Sequence, residues 1–126
     1  MSPGTQESVK LETIRAVVVD DEPTAREYLK LVLGRIEGVE VAGEAGAAAE
    51  CLAVVAAQRP DVLFLDINMP GENGMELAQD LARVSGGPQI VFVTGYDEYA
   101  VPAFEVAAAD YVMKPCIQER VEQAIA

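Results

Sequence analysis

Five polar residues stand where short apolar runs of the sequence end: Asp20, Asp21, Asp66, Thr94 and Lys114. If these runs are parallel strands, their carboxyl ends share one edge of a sheet, and the five side chains gather there. Three carboxylates crowded together repel one another, so a cation is expected among them. Oxygen-only ligands favour a hard ion, magnesium first, and magnesium joins protein carboxylates to phosphate oxygens.

Phosphoryl chemistry suits the same set of side chains. The hydroxyl of Thr94 and the ammonium group of Lys114 can donate to the oxygens of a phosphoryl group. A carboxylate can also act as the nucleophile toward phosphorus and form an aspartyl-phosphate. The residue types therefore indicate phosphoryl chemistry assisted by a divalent cation.

Each of these residues also has an ordinary structural explanation. Asp20 and Asp21 are suited to cap a helix, where a negative charge meets the helix dipole. Threonine is common in strands, and lysine extends its charge from a buried stem. Asp66 is harder to explain in this way, because a charge directly after an apolar run costs desolvation unless a partner compensates it. The joint occurrence at four strand ends is what favours a functional site.

Two kinds of segment alternate along the chain and must position these residues. Apolar runs typical of strands cover residues 14–19, 39–42, 62–65, 89–93 and 110–113. Apolar residues at helical spacing follow each run, over 25–36, 48–55, 77–84, 99–107 and 117–125. The first helix is expected to begin near Pro23 and to extend up to Gly38, and turn residues fill 68–74. The alternation predicts an α/β fold, in which helices cover both faces of a parallel sheet.

Composition limits the class of protein. The 126 residues fit one domain, of which residues 1–12 are predicted to be a disordered tail. The net charge of −12 would repel a phosphate backbone, so this chain alone is a poor nucleic-acid binder. The absence of histidine from the sequence excludes imidazole catalysis, His-ligated zinc and a phosphohistidine carrier. With no apolar stretch of about 20 residues and no leader, neither a membrane span nor secretion is expected, and Cys51 and Cys116 are expected to be reduced thiols.

Four segments of the sequence resemble the receiver domain of bacterial two-component response regulators. They are VVVDDEP (17–23), LFLDINMPGENG (63–74), VTGYDEYA (93–100) and DYVMKP (110–115), in the order and spacing of that family. The resemblance implies a flavodoxin-like (βα)5 three-layer sandwich with a parallel five-stranded sheet of order 2-1-3-4-5. It also implies that residues 13–126 form the receiver domain, with the last helix cut short at the chain end.

The resemblance also implies the ligands of the cation. Asp66 corresponds to the phospho-acceptor of the family. Asp20 and Asp21 correspond to the acidic pair that, with Asp66, holds Mg2+ or Mn2+ directly or through water. The backbone carbonyl of Asn68 corresponds to a further ligand.

Three further residues resemble the parts of the family that respond to phosphorylation. Thr94 and Lys114 correspond to the pair that contacts the phosphoryl group. Tyr111 resembles the aromatic switch residue, which turns inward as Thr94 moves. The resemblance implies that phosphorylation changes the face formed by the fourth helix, the fifth strand and the fifth helix.

The segments 94–107 and 109–115 further resemble receivers joined to a LytTR-type DNA-binding domain. That likeness implies control of transcription through an output domain that this chain does not contain, so nucleic acid would be reached only through that domain. The expected phosphoryl donor is a histidine kinase or a phosphotransfer protein, and phosphorylation is expected to favour a homodimer. The chain is expected to be cytoplasmic and to be no enzyme beyond slow autodephosphorylation.

Several alternatives stay open at the level of sequence. A stand-alone receiver, or a phosphorylation-independent pseudo-receiver that acts as a protein-interaction module, would share the fold. A phosphatase with an aspartyl nucleophile is disfavoured because its second acid would stand at Asn68. A flavodoxin-like cofactor binder is disfavoured because no G-x-G-x-x-G follows the first strand.

Overall fold

The apolar runs of the sequence form one parallel sheet. A computed structural model of the chain describes residues 13–66, 68–69, 72–73, 77, 80–81, 87–94, 110–114 and 118–125. The short strands β4 and β5 (Asn68–Met69 and Glu72–Asn73) pair with each other in antiparallel fashion, within a segment expected to be a loop. The strands of the main sheet are β1 (Ile14–Val19), β2 (Val39–Ala45), β3 (Val62–Asp66), β6 (Gln89–Thr94) and β7 (Asp110–Met113).

The order of the main sheet is β2-β1-β3-β6-β7, and every neighbouring pair is parallel. Because β6 and β7 are the fourth and fifth strands predicted from the sequence, the predicted order 2-1-3-4-5 is confirmed. Parallel neighbours require crossover connections rather than tight hairpins.

Three helices have defined bounds: α1 (Pro23–Gly34), α2 (Ala48–Gln58) and α3 (Gln118–Ile125). Leu77, Asp80 and Leu81 are also helical, in the position of the third predicted helix. The fourth predicted helix, the tail and Cys116 lie outside the described residues. In the part of the chain that is described, no helix combines the length and apolar character needed to cross a bilayer.

The helix α1 is shorter than its sequence pattern predicts. It ends at Gly34, and the N–H groups of Arg35 and Ile36 donate to carbonyls three residues back, which tightens the last turn. Gly38 then takes a φ of +86°, a conformation that suits glycine, and the chain enters β2. β2 in turn is longer than predicted, since its register shifts beside Ala16 and Val17 and pairing continues to Ala45.

Alternation along the strands divides the core into two clusters, one on each face of the sheet. In β3, Leu63 and Leu65 face the α2 side, whereas Val62 and Phe64 face the side covered by α1 and α3. Such strands are buried on both faces, which explains why they are apolar throughout. The result is the predicted three-layer sandwich, in which the polar residues of the central strands lie at the strand ends.

Candidate functional site

The central strands bring two carboxylates to the same edge of the sheet. β1 and β3 are parallel neighbours with Val19 opposite Leu65, so Asp20 and Asp66 lie side by side. Both residues are buried, with relative exposures of 4% and 5%. Burial of two adjacent carboxylates is costly unless cations or hydrogen-bond donors compensate them.

Asp21 completes an acidic cluster at this edge. Asp20, Asp21 and Asp66 each offer a carboxylate oxygen, and these oxygens all lie within 4.8 Å of one another. Asp21 is half-buried, so the cluster opens toward solvent on its side. A group of three oxygen ligands with one side open suits a hard cation that keeps water molecules.

Lys114 supplies positive charge to the cluster from the end of β7. Its Nζ atom lies 3.0 Å from Oδ2 of Asp20, 3.9 Å from Oδ2 of Asp66 and 3.9 Å from Oε1 of Glu22. Burial alone would lower the pKa of Lys114, but the hydrogen bond to Asp20 and the charges of Asp66, Asp20 and Glu22 outweigh it and raise that pKa. The ammonium group is therefore held in its charged form between two strand ends.

Asp20 is held through all of its polar atoms. Its N–H donates to the carbonyl of Ala45 (3.1 Å), and its own carbonyl accepts from Nη1 of Arg26 (2.6 Å). Oδ1 accepts the N–H of Glu22 at 3.0 Å, and Oδ2 faces Lys114. This is a fixed carboxylate rather than a solvated one.

The helix-capping explanation of the acidic pair does not hold. The residue at the N-cap of α1 is Glu22, which makes no side-chain capping hydrogen bond, and Pro23 occupies the first turn as expected. Asp20 accepts the N–H of Glu22, which precedes the helix. The carboxylates of Asp20 and Asp21 point to the cluster with Asp66 instead.

A second charged group, missed at the level of sequence, borders the cluster. Nε of Arg26 lies 3.0 Å from Oε1 of Glu44, and Nζ of Lys30 lies 2.6 Å from Oε2 of the same residue. The hydrogen bond from Lys30, with a smaller contribution from Arg26, lowers the pKa of Glu44 although desolvation opposes the change. The one available signal was the position of Glu44 near the end of the second strand, beside the start of α1.

The remaining predicted residues are described only in their backbone. Asn68 lies in β4, two residues after Asp66, and Thr94 ends β6 opposite Met113. Tyr111 lies in β7 opposite Phe92. The side chains of Asn68, Thr94 and Tyr111 lie outside what is described, so their roles stay predictions.

Cys51 offers no reactive group to the site. It is a free thiol, fully buried in the α2-side cluster, and burial raises its pKa to about 11. A thiol with such a pKa is almost wholly protonated near neutral pH and is a poor nucleophile.

A cavity of about 260 Å³ adjoins the cluster on the α1 side of the sheet. Its walls are mainly apolar, with Asp20 and Lys114 at one end and Tyr28 and Leu29 of α1 along the side. Asp66 does not line it. The cavity therefore borders the acidic cluster without containing the carboxylate predicted to accept phosphate.

Comparison with known proteins finds relatives that match most of the chain. Residues 16–126 match the sequence profile of the response regulator receiver domain. Over 112 residues the chain is 45% identical to the sensory transduction protein LytT of Bacillus cereus and 42% identical to the transcriptional regulatory protein LytR of Staphylococcus aureus. Each match covers 89% of this chain and 46% of the relative, so the chain spans about half the length of these relatives.

Solved structures show the same fold. The response regulatory domain of mrkE from Klebsiella pneumoniae superposes with a TM-score of 0.80 at 32% identity, covering 89% of this chain and 92% of that one. The signal receiver domain of NarL from Mycobacterium tuberculosis gives a TM-score of 0.82 at 29% identity, covering 90% of this chain and 94% of that one. In both cases nearly the whole of the other domain is matched.

Proposed function

The chain belongs to the response regulator receiver domain family, and on that premise we propose that it accepts a phosphoryl group on Asp66 in a magnesium-dependent reaction. Receiver domains work with a histidine kinase or another phosphoryl donor, and the family is generally not enzymatic. The observation that carries the proposal is the cluster of Asp20, Asp21 and Asp66, whose oxygens lie within 4.8 Å of one another beside Lys114.

The donor set fits a magnesium ion. Three carboxylates within one ion's reach supply only oxygen ligands, and oxygen ligands select hard divalent cations such as Mg2+ or Mn2+. Asp20, Asp21 and Asp66 would hold the ion, with the backbone carbonyl of Asn68 as a further ligand. When bound, the ion supplies positive charge that offsets the charge developing on the phosphoryl oxygens.

The residues of the chain divide the transfer between them. A carboxylate oxygen of Asp66 attacks phosphorus in line, and the bond from phosphorus to the donor's leaving nitrogen or oxygen breaks. Lys114, held charged 3.9 Å from Asp66, is within reach to neutralise the phosphoryl oxygens. Thr94 would donate to another of these oxygens. Water later hydrolyses the acyl phosphate slowly, which releases inorganic phosphate and restores the carboxylate of Asp66.

The stored phosphoryl group would act through a shift between two conformations. Thr94 ends β6 and Tyr111 lies in the adjacent β7. Through these two residues, phosphorylation at Asp66 would reach the face formed by the fourth predicted helix, β7 and α3. A bias of a few kcal/mol between two states is enough for such a switch. Formation of a homodimer through this face on phosphorylation belongs to the same proposal.

The partners follow from the relatives and from charge. The relatives LytT and LytR are a sensory transduction protein and a transcriptional regulatory protein, and they are about twice as long as the match. We infer that residues 13–126 serve as the cytoplasmic receiver for a LytTR-type output domain, which would make the contact with DNA. The net charge of −12 supports this division of labour, since the receiver itself would be repelled by DNA.

Intact-mass analysis after incubation with acetyl phosphate tests the proposal directly. Wild type should gain about 80 Da, one phosphoryl group, with magnesium and not with EDTA. Asp66→Asn should gain nothing. Asp80→Asn is the matched control, because Asp80 is an exposed aspartate on a helical segment and is not one of the three clustered carboxylates.

The outcomes of this experiment distinguish a phosphoryl switch from a phosphorylation-independent interaction module. An adduct that needs magnesium and Asp66 but survives Asp80→Asn supports the phosphoryl switch. An adduct on both variants would show that the acceptor is another residue. No adduct together with no magnesium binding in a calorimetric titration would overturn the proposal and favour a phosphorylation-independent interaction module.

A further inference from the structure

Arg26 links the acidic loop to the second strand. Its side chain is largely buried, with 20% exposure, although it is only the fourth residue of α1. Nη1 donates to the carbonyl of Asp20 at 2.6 Å, and Nε donates to Oε1 of Glu44 at 3.0 Å. One rigid group therefore joins the end of β2 to the backbone between β1 and α1.

The contact with Asp20 is made at the atom that controls the direction of Asp21. The carbonyl of Asp20 belongs to the peptide unit that leads into Asp21, and a peptide unit is planar. Fixing the oxygen of that unit fixes the plane from which the Asp21 backbone departs. On its other side, Asp20 is fixed by its N–H bond to Ala45.

The sequence beside Glu44 leaves room for this contact. A Cβ atom built on Gly46 would stand 3.0 Å from Nη1 of Arg26, closer than side chains normally approach. Gly46 thus lets the guanidinium group lie against the turn after β2. Oε1 of Glu50 accepts the N–H of Gly46 at 2.7 Å, which holds that turn in place.

We propose that Arg26, aligned by Glu44, is a positioning residue that sets the separation of Asp20 and Asp21 for a divalent cation. This inference rests on the proposed function, because it assumes that the acidic cluster holds magnesium. Arg26 acts through the backbone and touches none of the three carboxylates that would bind the ion.

The sign of the effect distinguishes positioning from charge. Arg26 carries a positive charge near the cluster, so its removal would by Coulomb's law alone strengthen the binding of a cation. Loss of positioning does the opposite, because the carboxylates no longer converge. Partners that orient metal ligands typically change metal affinity by 10–100-fold when removed.

The experiment measures Mg2+ affinity by isothermal titration calorimetry, with free Mn2+ counted by electron paramagnetic resonance as a second readout. Arg26→Met should raise the dissociation constant about tenfold. Lys30→Met is the matched control, since Lys30 stands one turn further along α1 and binds the other oxygen of Glu44 without contacting Asp20. Its dissociation constant should stay within about twofold of wild type, since Lys30 binds Glu44 and Glu27 and does not hold the backbone of Asp20.

Gly46→Ala keeps every charge and serves as the second variant. The added methyl group would displace the guanidinium group by a few tenths of an ångström and should weaken Mg2+ binding by about threefold, less than removal of Arg26 does. Far-UV circular dichroism and a thermal melt verify that each variant is folded. If Arg26→Met is unfolded, Gly46→Ala decides.

Each result has one meaning. Weaker binding in Arg26→Met and Gly46→Ala, with Lys30→Met unchanged, supports the positioning role. Mg2+ binding by Arg26→Met that equals or exceeds that of wild type overturns the positioning role and leaves the proposed magnesium site intact. Where Arg26→Met does not fold, the same result for Gly46→Ala has the same meaning. If Lys30→Met weakens Mg2+ binding as much as Arg26→Met does, the effect belongs to the surroundings of Glu44 in general, and the positioning role of Arg26 is overturned. A wild-type protein that binds no Mg2+ overturns both this inference and the proposed function.

Discussion

The two ends of β1 carry polar groups of very different kinds. At the amino end, Arg15 and Asp61 exchange hydrogen bonds: Arg15 N–H donates to Oδ2 of Asp61 (2.9 Å), and Asp61 N–H donates to the Arg15 carbonyl (2.8 Å). The Arg15 guanidinium donates to the backbone carbonyl of Gln58 and to its Oε1, and lies 3.9 Å from Glu40. Arg15 is 36% exposed, so solvent reaches this group.

At the carboxyl end of β1 the acidic groups are buried and outnumber the described cation that faces them. Asp20 and Asp66 are about 95% buried, Asp21 joins them, and Lys114 bridges the first two. At the amino end, Arg15 and the exposed carboxylates of Glu40 and Asp61 stay in contact with solvent, which screens their charges. The carboxyl-end group retains buried negative charge that a divalent cation can neutralise, and this excess favours the proposed cation site.

The largest expected difference between the two ends of β1 is the effect of magnesium on the free energy of unfolding. A ligand that binds only the folded state at a hundred times its dissociation constant adds about 2.7 kcal/mol to the free energy of unfolding. We expect wild type to gain that amount in urea titrations at such a magnesium concentration. Asp66→Asn should lose most of the gain, because one of three carboxylates is neutral. An equal gain in both proteins would place the ion elsewhere.

Lys114→Met tests the carboxyl end without a metal. Removal of the ammonium group leaves Asp20 and Asp66 buried beside each other, and the free energy of unfolding in EDTA should fall by about 2 kcal/mol, less than the 3–5 kcal/mol of a fully buried pair. Addition of magnesium should recover part of the loss, since the ion supplies positive charge at the same place. A loss that magnesium leaves unchanged would contradict the assignment of Lys114 to this cluster.

Arg15→Met is the corresponding change at the amino end. It removes the hydrogen bonds to Gln58 and the ion pair with Glu40, and the free energy of unfolding should fall by about 1 kcal/mol. The loss should be the same in EDTA and in magnesium, because this group lies at the opposite end of the strand. A magnesium-dependent loss would break the distinction between the two ends.

Much of this architecture could be predicted from the sequence because parallel strands impose it. Apolar runs such as 62–65 are buried on both faces, so each polar residue that follows one lies at the carboxyl edge. That rule predicts that Asp20, Asp66 and Lys114 lie together, and Nζ of Lys114 does lie 3.0 Å from the carboxylate of Asp20 and 3.9 Å from that of Asp66. It says nothing about side-chain roles, and the roles of Asn68, Thr94 and Tyr111 stay predictions.

The sequence does not predict the features that arise from contacts between different helices and strands. Arg26 and Glu44 are 18 residues apart, on α1 and β2, and charged residues in such positions usually form a solvated surface. Only the crossover of α1 beside β2 brings them together. The apolar spacing of α1 also gives a wrong expectation at one position. Tyr28 fits that spacing and is expected to be buried, yet it is 44% exposed, whereas Leu33 is buried. Helical spacing defines a stripe, but the tilt of the packed helix decides which edge of the stripe is covered.

The smallest expected effect is the pH dependence contributed by Glu44, which connects Arg26 to the carboxyl end of the sheet. Hydrogen bonds from Lys30 and, to a smaller degree, Arg26 lower the pKa of Glu44 below its ordinary value of 4.5. A carboxyl group with a lowered folded pKa stabilises the protein above its unfolded pKa, and this contribution disappears as the pH falls through the folded value.

The free energy of unfolding of wild type should therefore exceed that of Glu44→Gln by less than about 1 kcal/mol near neutral pH, since the carboxylate is partly exposed. The gap should narrow as the pH falls below about 4.5, the ordinary pKa, because Glu44 of the unfolded chain then takes up a proton before Glu44 of the folded chain does. Urea titrations of both proteins at pH 7, 5 and about 3.5, all in EDTA, give the gap directly. A gap that widens toward acid would mean that Glu44 is destabilised by its surroundings, and the view of Glu44 as the anchor of Arg26 would then be wrong.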